Sequence, residues 1–312
     1  MLTAGLAGLE AYNRYVAMPR EALDARLPAT PSTWHWRFGD VAVYEEGDPA
    51  NPPMLMLHGH NAAASAAEMR EPFARLSSQF HVYAPDLLGY GLSDRPDIEY
   101  NPQLYVQFIQ DFLREVVARP AAVVASSLTS AYAIEAAAAS PEWVTRLVLV
   151  CPTGVRSLTR QSSAGKVVEA VLRLPIVGQA LFNGIASRAS ITYFLKSRAY
   201  EDPSLVTNEL VEDYYRTAHV PGARYAPAAF VSGRLYWDAT EAWTRLTQNV
   251  LIVWGREAKV TPLTDAPAFL VTNPAAELQE ISPAGILPHD EQPEQFANIV
   301  SAWLRQSEQA NV

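Results

Sequence analysis

Short apolar runs punctuated by helix-period segments dominate the chain. Met54–Leu57, His81–Pro85, Ala121–Ala125, Arg146–Val150, Val250–Trp254 and Glu277–Ile281 are too short for helices and read as buried strands. Ahead of them, Thr33–Phe38 and Val41–Glu46 flank Gly39-Asp40, which predicts a two-residue turn and an antiparallel hairpin. Helical periodicity covers 3–18, 65–77, 103–118, 128–139, 262–271 and 293–306. Strands alternating with helices predict a mostly parallel eight-stranded sheet covered by helices on both faces. From Pro152 to Gly233 the strand pattern stops and only helical periodicity remains. The expected organisation is one core, 1–151 with 234–312, interrupted by a helical cap at 152–233.

Composition narrows the function classes. With 49% hydrophobic and 18% charged residues in 312, the chain can bury a large core. A net charge of -9 makes nucleic acid an unfavourable partner, because phosphate recognition needs clustered cations. A lone cysteine, Cys151, excludes an internal disulfide and fits a reducing, cytoplasmic setting; at a strand end it reads as a buried, inert thiol. No run of 18 apolar residues occurs, and the leading helix has Glu10 within its apolar pattern, so neither a membrane span nor a membrane partner is expected. No His/Cys/Asp cluster has metal-ligand spacing and no glycine-rich phosphate loop opens the sheet, so neither metal nor cofactor is expected.

Chemistry concentrates at residues 121–134, Ala-Ala-Val-Val-Ala-Ser-Ser-Leu-Thr-Ser-Ala-Tyr-Ala-Ile, a strand, tight turn and helix with Ser127 at the tip. That is the layout of a nucleophile elbow, where small residues two before and two after the serine let the backbone fold back. Ala125 and Thr129 stand where glycines are usual.

Four segments resemble the α/β-hydrolase superfamily, in the capped branch of esterases, epoxide hydrolases and haloalkane dehalogenases. They are Met54-Leu-Met-Leu-His58-Gly59-His60, the loop from Tyr83 to Pro96, the Ser127 elbow, and the paired segments Val253–Pro262 and Ala284–Pro293. The resemblance implies a serine nucleophile at Ser127 and an oxyanion hole from the His60 and Leu128 backbone N–H groups. It also places the triad acid at Ala258 and the histidine at Ile286, residues that can neither accept nor donate a proton. A serine hydroxyl is a feeble nucleophile without an imidazole to take its proton. Ordinary Ser-His-acid hydrolysis is therefore not expected. Two losses inside otherwise intact motifs read as deliberate replacement in an engineered scaffold.

His60 is the candidate recruited base, since the resemblance implies that the residue after His-Gly points its side chain into the pocket. His289 is expected to pack within its loop, His58 to support the turn, and Asp86 and Asp94 to hold loops. His219 lies somewhere in the cap. Glu257 projects differently from the acid position, and Lys259 reads as solvent-exposed. Trp34, His35 and Trp36 read as aromatic packing on a strand. Two functions compete: an esterase-like enzyme with acyl- or proton-transfer chemistry rewired through Ser127 and His60, or an inactive fold holding a small apolar or ester-like ligand under the cap. A protein-interaction module using the cap is a third.

Overall fold

A computed structural model describes residues 2–20 and 23–309. Eight strands form one sheet: β1 (Ser32–Trp36), β2 (Gly39–Glu46), β3 (Pro53–Leu57), β4 (His81–Pro85), β5 (Ala121–Ser126), β6 (Val144–Val150), β7 (Asn249–Gly255) and β8 (Glu277–Ile281). Their order is β1-β2-β4-β3-β5-β6-β7-β8. β2 runs antiparallel to both β1 and β4, and every other pairing is parallel.

The period of two within each strand explains why the central strands are apolar throughout. Leu55, Leu57, Val123, Ala125, Leu147 and Leu149 point into one core. Met54, Met56, Val82, Val124, Val148 and Val253 point into the other. Helices α3 (Pro102–Phe112) and α4 (Thr129–Ala139) cover the first face; α2 (Arg70–Leu76) and, near the C-terminus, Pro293–Gln309 cover the second.

Between β6 and β7 the chain makes α5 (Ser163–Arg173), α6 (Val177–Ile185), α7 (Arg188–Phe194), α8 (Asn208–His219), α9 (Tyr225–Val231) and α10 (Thr240–Arg245). The sequence reading anticipated a helical insertion but not α10, whose six residues are too short for periodicity to register. It continues as α11 (Ala266–Thr272), α12 (Pro288–Glu291) and α13 (Pro293–Gln309); a helix α1 (Leu2–Val16) opens the described chain.

Three boundaries moved. The hairpin turn falls at Arg37-Phe38, because Trp36 pairs with Gly39. Gly39 instead starts β2 at φ 146°, where a Cβ would sit 2.9 Å from the Asp94 Cβ. The helix expected over 65–77 begins as a 3₁₀ turn, Ala66–Met69, before α2. That expected over 103–118 widens into a π-type turn at Leu113–Val117 and stops at Ala118 in the left-handed region.

Strand order reverses across β3, which has β4 on one side and β5 on the other. The carboxyl ends of β3 and β5 therefore open a crevice, and the His58-Gly59-His60 turn and Ser127 both emerge there.

Candidate functional site

Ser127 stands at φ 52°, a left-handed conformation that a non-glycine residue holds only when its surroundings enforce it. They do. Its N–H donates to the Val150 carbonyl at 2.9 Å, and its carbonyl accepts from Ser130 N–H at 3.1 Å. The unusual Thr129 turns its hydroxyl to the His58 carbonyl, 2.7 Å away, tying the elbow to the β3 turn. Gly59 completes the fit: a Cβ there would meet the Ser127 Cβ at 3.4 Å. Among the described hydrogen bonds, neither the His60 nor the Leu128 N–H is taken up by a protein acceptor.

The positions that the resemblance assigns to acid and histidine are apolar and packed. Ala258 is buried in the main core, its N–H donating to the Gly255 carbonyl at 3.2 Å. Ile286 bridges the main core and the cluster formed by Ile191, Leu195 and Leu287, while its N–H donates to Ala199 at 2.9 Å. Cys151 lies between the two loops: Gly255 N–H approaches its Sγ at 3.4 Å, and burial pushes the thiol up to about 12.

His60 is buried among Tyr105, Tyr90, Tyr132 and Phe230, with ring centroids 4.6, 5.3, 5.6 and 6.4 Å away. Its Nδ1 pairs with the Tyr90 hydroxyl at 3.1 Å, and its buried Nε2 has no partner. Burial, reinforced by neighbouring His58, holds its pKa well below the ordinary histidine value, so the ring is neutral. No hydrogen bond among the described residues joins it to Ser127. His58 is a strut: Nδ1 meets the Gly59 carbonyl at 2.7 Å, Nε2 accepts from Leu87 N–H at 3.0 Å, and burial lowers its pKa to about 4.

A buried polar cluster behind the elbow escaped the sequence reading. Glu68 accepts from Gly59 N–H at 3.1 Å and also meets the Ser126 hydroxyl; burial raises its pKa to about 7. His289 lies 3.8 Å from Glu68, fully buried, its pKa lowered to about 3 by burial and by Arg70. Arg70 pairs with Asp290 at 2.7 Å, and Asp290 also accepts from the Tyr200 hydroxyl. Glu291 takes the Gly285 N–H at 2.5 Å and the Glu201 N–H at 2.7 Å. An imidazole thus stands near a carboxylate, but both ring nitrogens of His289 lack a hydrogen-bond partner, Glu68 reaches Ser126, and no described bond links either to Ser127. Only the closely spaced charges Glu68 and Arg70 and the two acids following His289 hinted at the cluster.

The remaining candidates have local roles. Asp86 accepts from Ala66 and Leu92 N–H at 2.6 and 2.7 Å, and Asp94 from Asp40 N–H at 2.8 Å. Glu257 accepts from Ala284 N–H and the Ser282 hydroxyl at 2.9 and 2.7 Å. Lys259 is exposed and pairs with Glu201 at 3.1 Å. His219 bonds the Tyr215 carbonyl at 2.7 Å. Trp34 and Trp36 pack on Phe108 of α3, with centroids 5.5 and 5.2 Å away. His35 is exposed and bonds Asp40.

A family model described as "Alpha/beta hydrolase family" matches residues 54–299. The chain belongs to that family. A 2-hydroxymuconate semialdehyde hydrolase from Pseudomonas sp. (strain CF600) is 28% identical, covering 83% of this chain and 89% of the relative. A haloalkane dehalogenase from Agrobacterium fabrum (strain C58) is 26% identical, covering 85% of this chain and 88% of its own. Among solved structures, a meta-cleavage product hydrolase from Pseudomonas fluorescens IP01 superposes with a TM-score of 0.73 at 23% identity, over 88% of this chain and 98% of the other. In this α/β-hydrolase the scaffold is that of a hydrolase, with relatives among meta-cleavage product hydrolases and haloalkane dehalogenases.

Proposed function

We propose that this α/β-hydrolase has no working Ser-His-acid triad and binds a small, largely apolar carbonyl compound at the elbow. One observation carries the reading: the positions that would hold acid and base are Ala258 and Ile286, packed into apolar clusters. The imidazole weighed as a recruited base, His60, is neutral and bonded to Tyr90. Unspent N–H groups at His60 and Leu128, together with the Ser127 hydroxyl, suit a ligand carbonyl oxygen. Ile286, Phe230 and the tyrosines around His60 suit an apolar body. The reading does not depend on how the two substitutions arose.

The retained donors favour one second reading, acyl or proton transfer through Ser127 and His60. Two assays separate the two. p-Nitrophenyl butyrate is followed with the wild-type chain and Ser127→Ala, and 4-phenyl-2-butanone, which cannot be hydrolysed, is titrated by thermal unfolding. Binding predicts equal ester rates for both chains and a rise in Tm, since ligand at a hundredfold over its Kd adds about 2.7 kcal/mol. A wild-type rate well above that of Ser127→Ala overturns the binding reading in favour of the second. No ketone-induced Tm shift, with equal ester rates, overturns both.

A further inference from the structure

The first helix and the start of the insertion expose much of their apolar surface. On α1, Leu6, Leu9, Tyr12 and Tyr15 are all exposed, Tyr15 at 89%. The helix is tied down through Asn13, which donates to the Ile176 carbonyl and accepts from Asn183, both at 3.0 Å. On α5, Val167 (66% exposed), Val168 and Val171 point out while Leu172 points in. On α6, Val177, Leu181 and Ile185, four residues apart, point out while Phe182 is buried. α6 packs on both α1 and α5, which brings the exposed apolar residues of the three helices into one region of the surface. Such a concentration is unusual on a surface meant only for water.

Charge selects the occupant. Residues 152–199 contain seven basic residues and one acid, Glu169, in a chain of net charge -9. The two charges between Lys166 and Arg188, Glu169 and Arg173, are engaged in ion pairs with Arg234 and Asp97. Lys166, Lys196 and Arg198 are exposed and make no ion pair among the described residues. Tyr193, 68% exposed, adds a further outward aromatic beside them. Exposed cations in the same insertion as exposed apolar side chains, Lys166 directly beside Val167 on α5, match the boundary between anionic headgroups and acyl chains. A second copy fits less well, because a two-fold contact through this face would set one basic insertion against another.

We infer that the α1–α5–α6 face docks on an anionic lipid surface. The chain lies on the bilayer and does not cross it. No single helix among the described residues is long and apolar enough to span, and α5 and α6 meet at 105°. The expectation that no membrane is involved rested on the lack of a spanning run, and periodicity alone could not say which way a stripe would face.

The test is co-sedimentation of the full chain with phosphatidylcholine vesicles, with or without one-third phosphatidylglycerol, at low and high salt. Binding is expected to the anionic vesicles, weakening with salt. Val167→Glu/Val171→Glu/Leu181→Glu should lower partitioning at least about tenfold. Lys196→Gln and Arg198→Gln should each lower it about fivefold on anionic vesicles and leave neutral ones unaffected. Circular dichroism and the unfolding midpoint verify that the variants fold; if the triple variant does not, the glutamine variants and the salt series decide. Absence of binding to either vesicle overturns the inference, as does binding that none of these substitutions changes. A chain that sediments as a dimer without lipid, is dispersed by the glutamates and ignores vesicles assigns the face to a second copy instead.

Discussion

Placing an acid and a histidine where the family resemblance expects them, Ala258→Asp with Ile286→His, asks whether the scaffold can hold a triad's geometry. The loop that would carry the histidine is fixed by Ile286 N–H to Ala199 and Gly285 N–H to Glu291, and the elbow by bonds to Val150 and His58. Loss of a triad histidine costs roughly six powers of ten in turnover, and loss of the acid alone about four. A misplacement of about 1 Å forfeits about a hundredfold of any recovery. The double variant should therefore raise kcat/KM for p-nitrophenyl butyrate by at least ~10³ over the parent, while either single variant recovers little. Stability should report the same pairing. An aspartate at buried position 258 without an imidazole costs several kcal/mol, and a histidine at 286 without an acid leaves a partly buried ring unpaired. Together they should be more stable than the two losses summed, by about 1–3 kcal/mol in a double-mutant cycle. Adding Ser127→Ala must abolish the activity. A folded double variant with no Ser127-dependent rate would refute the claim that only the proton-handling residues are missing. A parent chain already hydrolysing the ester through Ser127 would refute it more directly.

Glu68→Gln should reshape the pH dependence of stability. The Glu68 carboxyl ionises near 7 when folded and near 4.5 when unfolded, so its ionisation weakens the fold as pH rises through that window; the glutamine variant should gain roughly 3 kcal/mol on the parent between pH 5 and 8 in urea melts. Gly91→Ala should lose about 3 kcal/mol or more in the same melts, because Gly91 has φ 51° and a Cβ would lie 2.0 Å from the Asp86 carboxyl group. Cys151 should resist Ellman's reagent in the native chain and react fully once unfolded, as expected of a buried thiol with a raised pKa.

What the sequence made legible was local. The strand His81–Pro85 begins and ends as its apolar run does, since a buried strand needs apolar residues on both faces, whereas Glu277–Ile281 keeps its expected bounds as a largely exposed edge strand. The Ser127 turn was also readable, because strand, bend and helix are contiguous. The Gly39 turn was not: its glycine serves the contact with Asp94, 55 residues away. The Arg70–Asp290 pair joins residues 220 apart and leaves no trace in periodicity. The exposure of the apolar residues of α1 was not legible either, since a helix-period pattern marks an amphipathic helix without saying which face meets the core.

A left-handed serine at a strand end is often taken as a sign of catalysis, yet here the strain has a sufficient structural cause. Holding a non-glycine residue at φ 52° costs of order 1 kcal/mol or more. Against that stand the Ser127 N–H bond to Val150, the Ser130 N–H bond to the Ser127 carbonyl, and the Thr129 hydroxyl bond to His58, each worth about 1 kcal/mol net. Burial of Leu128 and Ala131 beneath the turn adds more. These contacts hold the elbow whether or not its hydroxyl is ever deprotonated. Strain of this kind measures how firmly the β5–α4 junction is built. In the proposed reading, what stands at residues 258 and 286, more than a hundred positions away, decides whether that junction does hydrolytic chemistry.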